Sequence, residues 1–297
     1  GVYLARDRAY TYMGVRGFSP PGDYNARILL MQDGARINDP LYDQASLGSE
    51  SLFSLDWVKR LEYVSGPASA SYGGNALFGV ANAVLWNGSD INGVRLNVDA
   101  ASGRTGQLGV LAGGVTEGGA DWLVGLSMAE SHGQDLYFRE FDTPANNRGK
   151  ALGLDGEHYV KGLFKGSLDG WRTSLSFVSR TKDIPTAYYG SLFNVPGNYV
   201  RDEAVHFDLS HSSILAPEWS QQVRFHLGYY NYEAEYPYSG YTNRDEAIAA
   251  WWRGEYRLTY TGLVGHKMLF GSEFTRSQKL EQRNFDIQPY VSRLDDS

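Results

Sequence analysis

From about Gly93 onward, apolar and polar residues alternate with a period of two. Val94, Leu96 and Val98 alternate with Arg95, Asn97 and Asp99. Trp122, Val124, Leu126 and Met128 share one face of the next segment. Further on, Val160, Phe164 and Leu168 oppose Lys161 and Lys165, and Trp171, Leu175 and Phe177 oppose Arg172, Ser174 and Ser176. Val205, Phe207 and Leu209 oppose His206 and Asp208, while Val223, Phe225, Leu227 and Tyr229 oppose Gln222, Arg224 and His226. Trp252, Tyr256, Leu258 and Tyr260 oppose Arg253, Glu255 and Arg257. This succession predicts long antiparallel strands with one apolar and one charged face. The links between them alternate in length. Residues 117–120, 169–170 and 216–218 are tight turns, and 132–156, 182–203 and 233–248 read as long polar loops. Short turns at one end and long loops at the other describe a transmembrane barrel. Trp122, Trp171 and Trp219 each follow a tight turn, where an indole would lie at the headgroup level as an aromatic girdle. A soluble β-sandwich with Trp-capped hairpins, or a propeller, is the competing reading, and such a protein would bind carbohydrate through surface Tyr and Trp.

Residues 1–86 differ. Short apolar strands (12–16, 27–32, 58–64) are separated by Ser19-Pro20-Pro21-Gly22-Asp23, Asp33-Gly34 and Gly66-Pro67, all turn-forming combinations. They predict a small α+β domain over 1–86, a linker over 86–90, and the strand-rich domain over 93–297. About nine long strands are countable after Val94. Nine cannot close a barrel, because an open edge leaves unpaired amides in lipid, and plugged transporters use 22. The chain also opens at Gly1 and ends at Ser297 without a closing element, so we expect a piece cut at both ends.

Composition narrows the classes. A net charge of −7 argues against a phosphate-binding stripe, hence against nucleic acid. The absence of cysteine removes thiolate metal sites, disulfides and a Cys nucleophile. No apolar run approaches the ~20 residues of a membrane helix, whereas 21 Tyr and 35 Gly favour β structure. The six histidines show no metal-binding spacing, no Gly-rich loop opens a helix, and no catalytic set emerges. Asp208, Glu255 and Glu273 have Arg and Lys neighbours and read as a salt-bridged lumen. Neither a cofactor nor a metal site is expected.

The motifs of the first domain occur in a fixed order: Arg16-Gly17 in VRGF, Asp33-Gly34 after an apolar strand, Arg60-x-Glu62 in KRLE, then Gly66-Pro67, Tyr72-Gly73, Gly79-Val80 and Asn82. This order resembles the plug domain of TonB-dependent outer-membrane receptors, of the siderophore- and cobalamin-receptor type. The resemblance implies a bacterial outer-membrane importer, not an enzyme: a plug within a lipid-embedded, mainly β barrel. It would take up a scarce nutrient, a ferric siderophore first, with cobalamin or an oligosaccharide as alternatives. Energy would come from TonB with ExbB and ExbD, through an N-terminal box that these residues do not contain. Gly34, Gly66 and Gly73 would permit positive φ or close approach. Arg16, Arg60 and Glu62 are candidates for ion pairs to the barrel wall, or are solvated surface charges. Where the family usually has Arg before Gly-Pro, this chain has Ser65, so no ionic role is carried over there. By position, the outward plug loops 19–25 and 38–44 would meet ligand through Tyr24, Asn25, Tyr42 and Asp43. In the barrel, Tyr188, Tyr189, Phe193, Tyr199, Tyr236, Tyr238 and Tyr241 offer rigid amphipathic rings for a bulky ligand. Each of these rings has girdle or loop packing as its alternative role.

Overall fold

The computed structural model describes residues 1–17 and 22–296. Val2–Arg6 (β1) and Thr11–Val15 (β2) form an antiparallel hairpin. Ile28–Gln32 (β3), Ala35–Arg36 (β4), Val58–Ser65 (β5) and Gly79–Leu85 (β6) form a second sheet in the order β4-β3-β6-β5, with β3 and β6 parallel. The Asp33-Gly34 link between β3 and β4 has positive φ at both residues, 49° and 79°, the type I′ geometry for which Asp-Gly is suited. At Gly66 the constraint is space instead: a Cβ there would lie 2.3 Å from the Leu77 carbonyl oxygen. The sequence reading missed β1 and assigned no strand to the Gly79-Val80 to Asn82 motif, which lies on β6.

Gly93–Ala101 (β7), Thr105–Val115 (β8) and Asp121–Ser131 (β9) begin the large sheet. Leu136–Tyr137 (β10) and Lys150–Ala151 (β11) pair separately within the long loop that follows. The large sheet continues through Glu157–Leu168 (β12), Trp171–Asp183 (β13), Tyr199–Ala216 (β14), Trp219–Tyr238 (β15), Tyr241–Tyr260 (β16), Met268–Asp286 (β17) and Val291–Asp296 (β18). Every neighbouring pair is antiparallel and in sequence order, giving ten strands where about nine were expected. β8, β17 and the short β18 are those for which no alternation was named. The free edges of β18 and β7 do not meet, so the wall is open among the described residues.

The sheet is inside-out relative to a soluble protein. Trp122, Val124, Leu126, Phe164, Leu175, Val223 and Phe225 are exposed on its convex side. Lys161, Ser176, Arg180, Asp202, His206, Arg224, His226 and Arg253 are buried on the other side. Exposed apolar rows over a buried charged face are the alternation of a lipid-facing barrel, and they rule out the sandwich and propeller alternatives. Trp122, Trp171 and Trp219 lie on the convex side or at its margin, beside the tight turns; Trp171 packs on His211 and Trp219 on Tyr260, each with ring centres 4.5 Å apart.

One predicted loop is not a loop. Residues 233–248 are the ends of β15 and β16, joined at Ser239-Gly240. The polar reading arose because Tyr232, Tyr236 and Glu residues fill alternate positions of a strand that has outrun the membrane. About 9–11 residues suffice to cross, and these strands have 20 each.

The smaller domain sits against the concave face and shares its core with it. Phe53, Trp57, Ala83 and Leu85 cluster with wall residues Leu111, Leu123 and Leu163. Leu52 joins Val178, Ala204, Tyr230, Ala249 and Trp251. Trp57 is fully buried, and its indole lies against Gly125 of β9, where an added Cβ would come within 2.8 Å of the ring. Glycine on that wall strand is what admits the indole.

Candidate functional site

At the long-loop end, tyrosines from both domains form one continuous cluster, with Tyr10, Tyr12 and Tyr236 buried beneath the more exposed Tyr24, Tyr188, Tyr189, Tyr238 and Tyr241. Tyr10 and Tyr12, either side of the start of β2, pack with Ile184, Val200, Ala234 and Tyr236 of the wall, and Tyr24, Tyr188, Tyr232 and Tyr238 lie against this cluster. The Tyr24 ring is 5.5 Å from Tyr10 and 6.2 Å from Tyr12. Tyr188 meets Tyr189 edge-on at 5.9 Å, Tyr189 meets Tyr236 at 5.2 Å, and Tyr238 stacks on Tyr241 at 5.0 Å. The Tyr188 hydroxyl donates to the Asp7 carbonyl (3.1 Å), joining a wall loop to the plug hairpin. Such edge-to-face and offset pairs hold rings rigidly, with the hydroxyls of Tyr10, Tyr12, Tyr188, Tyr232, Tyr236 and Tyr238 engaged within the protein, so a ligand would meet mainly ring faces and edges.

The structure sorts the sequence-predicted ligand residues. Tyr24, Tyr188, Tyr189, Tyr236, Tyr238 and Tyr241 come together, with Tyr189 the most exposed. Tyr42 packs near Leu52 and Trp251 instead, and Asp43 is exposed beside it. Asn25 is buried: its side chain donates to the Thr11 and Ala45 carbonyls (2.9 and 3.0 Å) and accepts from Met13 N (2.7 Å). All of its polar capacity fixes the chain, so it moves from ligand candidate to structural clamp. Phe193 is likewise buried, stacked on Phe141 at 4.2 Å, and ties two wall loops together. Tyr199 donates to Glu233 (2.6 Å) at the start of β14. Residues 19–21 of the predicted plug loop lie outside the described residues. Tyr10, Tyr12 and Tyr232 were missed, although Tyr10-x-Tyr12 has the spacing of one strand face.

The lock between plug and wall also differs from expectation. Arg60 and Glu62 pair with each other (2.8 Å), and Asn82 donates to Glu62 (2.9 Å), which holds that carboxyl below its usual range. Arg16 donates to Ser65 Oγ (2.9 Å), at the very position that departs from the family pattern. Among the described residues these charges are internal to the plug. Two plug cations do cross, Arg8 to Asp155 (3.4 Å) and Arg36 to Glu273 (3.8 Å), but more of the crossing cations come from the wall. Lys165 contacts Asp33 (2.8 Å) and donates to the Trp86 carbonyl (3.0 Å). Lys161 donates to Ser51 Oγ and the Phe53 carbonyl (both 3.1 Å), Arg224 donates to the Gly34 carbonyl, and Arg253 donates to that of Arg36 (3.3 Å). Wall charges thus satisfy plug carbonyls that the plug's own short strands leave free. A motif search cannot see this, because backbone acceptors carry no sequence signature.

Other motif residues organise the plug itself. Arg36 spans three acceptors, the Tyr72 and Gly74 carbonyls and Asn75 Oδ1 (2.7–2.8 Å), and so holds the Tyr72-Gly73 loop. Gly73 has φ of 77°. Gly34 N donates to Asn82 Oδ1 (3.0 Å), linking the Asp-Gly turn to β6. Gly17 also has positive φ (86°), and Pro67 precedes the short helix Ser69–Tyr72.

In the 38–44 loop, Asp39 accepts from the amides of Leu41, Tyr42 and Gln44 (2.7–3.0 Å). Burial pushes its carboxyl up to about 6, against the opposing effect of those amides. The folded pKa lies above the unfolded one, so the folded state binds the extra proton between about pH 6 and pH 4. Loop stability should therefore rise as pH falls through that window. The protection factors of the Tyr42 and Gln44 amides (intrinsic rate divided by observed rate) should rise accordingly, and Asp39→Asn should remove that dependence. Protection factors constant across the window in the unmodified protein would refute the assignment.

Comparison with known proteins agrees with this architecture. A family model described as TonB-dependent Receptor Plug Domain matches residues 2–80. Among solved structures, the chain is similar to the ferric yersiniabactin uptake receptor FyuA from Yersinia pestis, at 16% identity over 99% of this chain and 46% of that one, with a TM-score of 0.66. It is also similar to the ferric citrate transporter FecA in unliganded form (12%, 100% and 46%, TM-score 0.72). A third is the pyoverdine outer membrane receptor FpvA from Pseudomonas aeruginosa PAO1 (12%, 96% and 43%, TM-score 0.65). Likeness at such identities concerns the fold, and the chain spans a little under half the length of these receptors. Residues 2–80 belong to the TonB-dependent receptor plug family, and the inside-out sheet of ten strands packed against them has the fold of the barrel wall in such receptors.

Proposed function

We propose that the whole receptor lies in the bacterial outer membrane, binds a ferric siderophore at its outer face, and imports it into the periplasm with energy delivered by TonB, ExbB and ExbD. The carrying observation is the tyrosine surface shared by plug and wall. A ligand resting on it touches both domains at once, so its arrival can bias the plug. The ligands named for the similar solved structures, ferric yersiniabactin, ferric citrate and pyoverdine, support iron complexes over cobalamin or an oligosaccharide. In this reading Tyr24, Tyr188, Tyr189, Tyr238 and Tyr241 contact the ligand, and Trp122, Trp171 and Trp219 mark the inner-leaflet girdle in contact with lipid.

A Trp-fluorescence titration of the full-length receptor in detergent tests this, with ferric siderophores, cobalamin and an oligosaccharide as the panel. Saturable quenching by a ferric siderophore is expected. Replacing both Tyr238 and Tyr241 by Ala should weaken it by about 1–2 kcal/mol, roughly ten-fold, the worth of one aromatic pair and its contact area. Saturable binding of cobalamin or the oligosaccharide alone would replace the siderophore reading.

A further inference from the structure

The mouth of the wall holds a cavity of about 350 Å³ beside the tyrosine surface. Tyr189, Tyr236, Tyr238 and Tyr241 form one side, and Asn243, Asp245, Asn284, Asp286 and Arg293 the other. Its charges do not balance. Arg293, the one cation lining it among the described residues, is held by Asp286 at 2.7 Å, and Asn243 also donates to Asp286 (2.9 Å). Among the described residues, Asp245 receives only the Asn284 amide and pairs with no cation. Strand alternation explains this. Arg244, the residue before Asp245 on β16, turns to the opposite face and contacts Glu235 (Nε–Oε1 3.0 Å) and Glu246 (3.7 Å). The cavity therefore presents one uncompensated carboxylate among phenol rings, and a ring face attracts cations as a carboxylate does.

Resting on the siderophore reading above, we propose that this cavity is a cation-accepting subsite that takes a protonated amine arm of the ferric complex. Asp245 serves as counter-ion, and the stacked Tyr238–Tyr241 pair flanks the alkyl stem. A polyanionic ferric complex would face the Asp245 carboxylate with no free guanidinium to meet it. The volume lies at the small end of the roughly 300–1,000 Å³ of ligand pockets, so it suits an arm rather than a whole bulky ferric complex.

The test is calorimetry on the full-length receptor in detergent at low salt. The probes are a linear ferric trihydroxamate ending in a primary amine, its N-acetyl derivative, and ferric citrate. The amine complex should bind about ten-fold more tightly than the acetylated one, and Asp245→Asn should bring the two together while leaving the acetylated complex unchanged. Equal affinities in the unmodified receptor would overturn the subsite without recourse to any variant. So would a preference for ferric citrate, or an amine preference that survives Asp245→Asn. If none of these complexes binds, and ferric tricatecholate and other ferric siderophores also fail, the siderophore reading falls and this inference falls with it.

Discussion

Arg180→Ala should detach the plug hairpin from the wall. The guanidinium lies between Glu157 (2.8 Å) and Asp202 (3.1 Å), donates to the Ala9 carbonyl, and sits 5.6 Å from the centre of the Tyr10 ring. Arg180 and Asp202 are each only 2% exposed, so water cannot replace the lost partner. Asp202 would keep only the hydroxyls of Tyr10 (3.2 Å) and Tyr230 (3.0 Å). Leaving a buried charge without its counter-ion costs about 3–5 kcal/mol. In the full-length receptor, amides of β1 and β2 should exchange at least roughly a hundred-fold faster, while those of β3 and β6 change little. The double variant Arg180→Met with Asp202→Asn removes both charges and should restore much of the protection. Unchanged exchange in Arg180→Ala would show that the aromatic packing alone holds the hairpin. Because Tyr10, Tyr12 and Tyr24 depend on that hairpin, ligand affinity should fall in parallel.

Trp57→Ala should loosen the plug's central sheet by a different mechanism. The indole fills the space between β6 and wall strands β8, β9 and β12, with Leu85, Leu111, Leu123 and Leu163 around it. Removing so large a buried ring costs about 3–5 kcal/mol, since the neighbours collapse only partly into the void. Gly125→Val should also destabilise, by about 1–3 kcal/mol, because its Cβ would meet the indole. The two together should cost less than their sum, the new side chain occupying part of the space the old one left. Exchange of β6 amides in the four proteins measures this coupling. Strict additivity would mean that Gly125 and Trp57 do not share that space.

How much of this was legible beforehand depended on whether the signal was local. The period-two alternation from Val94 to Tyr260 is a direct image of lipid on one side and a charged interior on the other. The Asp33-Gly34 turn was readable for the same reason, since its backbone requirement is carried by those two residues. β18 was missed because six exposed residues hold too little alternation to register. The 233–248 segment was misread because alternation of Tyr with Glu and Asn looks polar throughout once a strand has left the membrane.

By itself, the sequence determined the strand class, the division into a turn-rich first domain and an alternating second, and the plug-like order of motifs. Each rests on residues near one another in the chain. The tertiary structure alone decided which tyrosines share a surface, and that Asn25 and Phe193 are structural. It also showed that Arg60 and Glu62 serve each other while Lys161, Lys165, Arg224 and Arg253 reach the plug. Most of those outcomes turn on groups well separated in the chain, or on backbone carbonyls that every residue possesses. The physical reason is that a side chain's role follows from which unsatisfied group stands opposite it, and only the folded chain brings the two together.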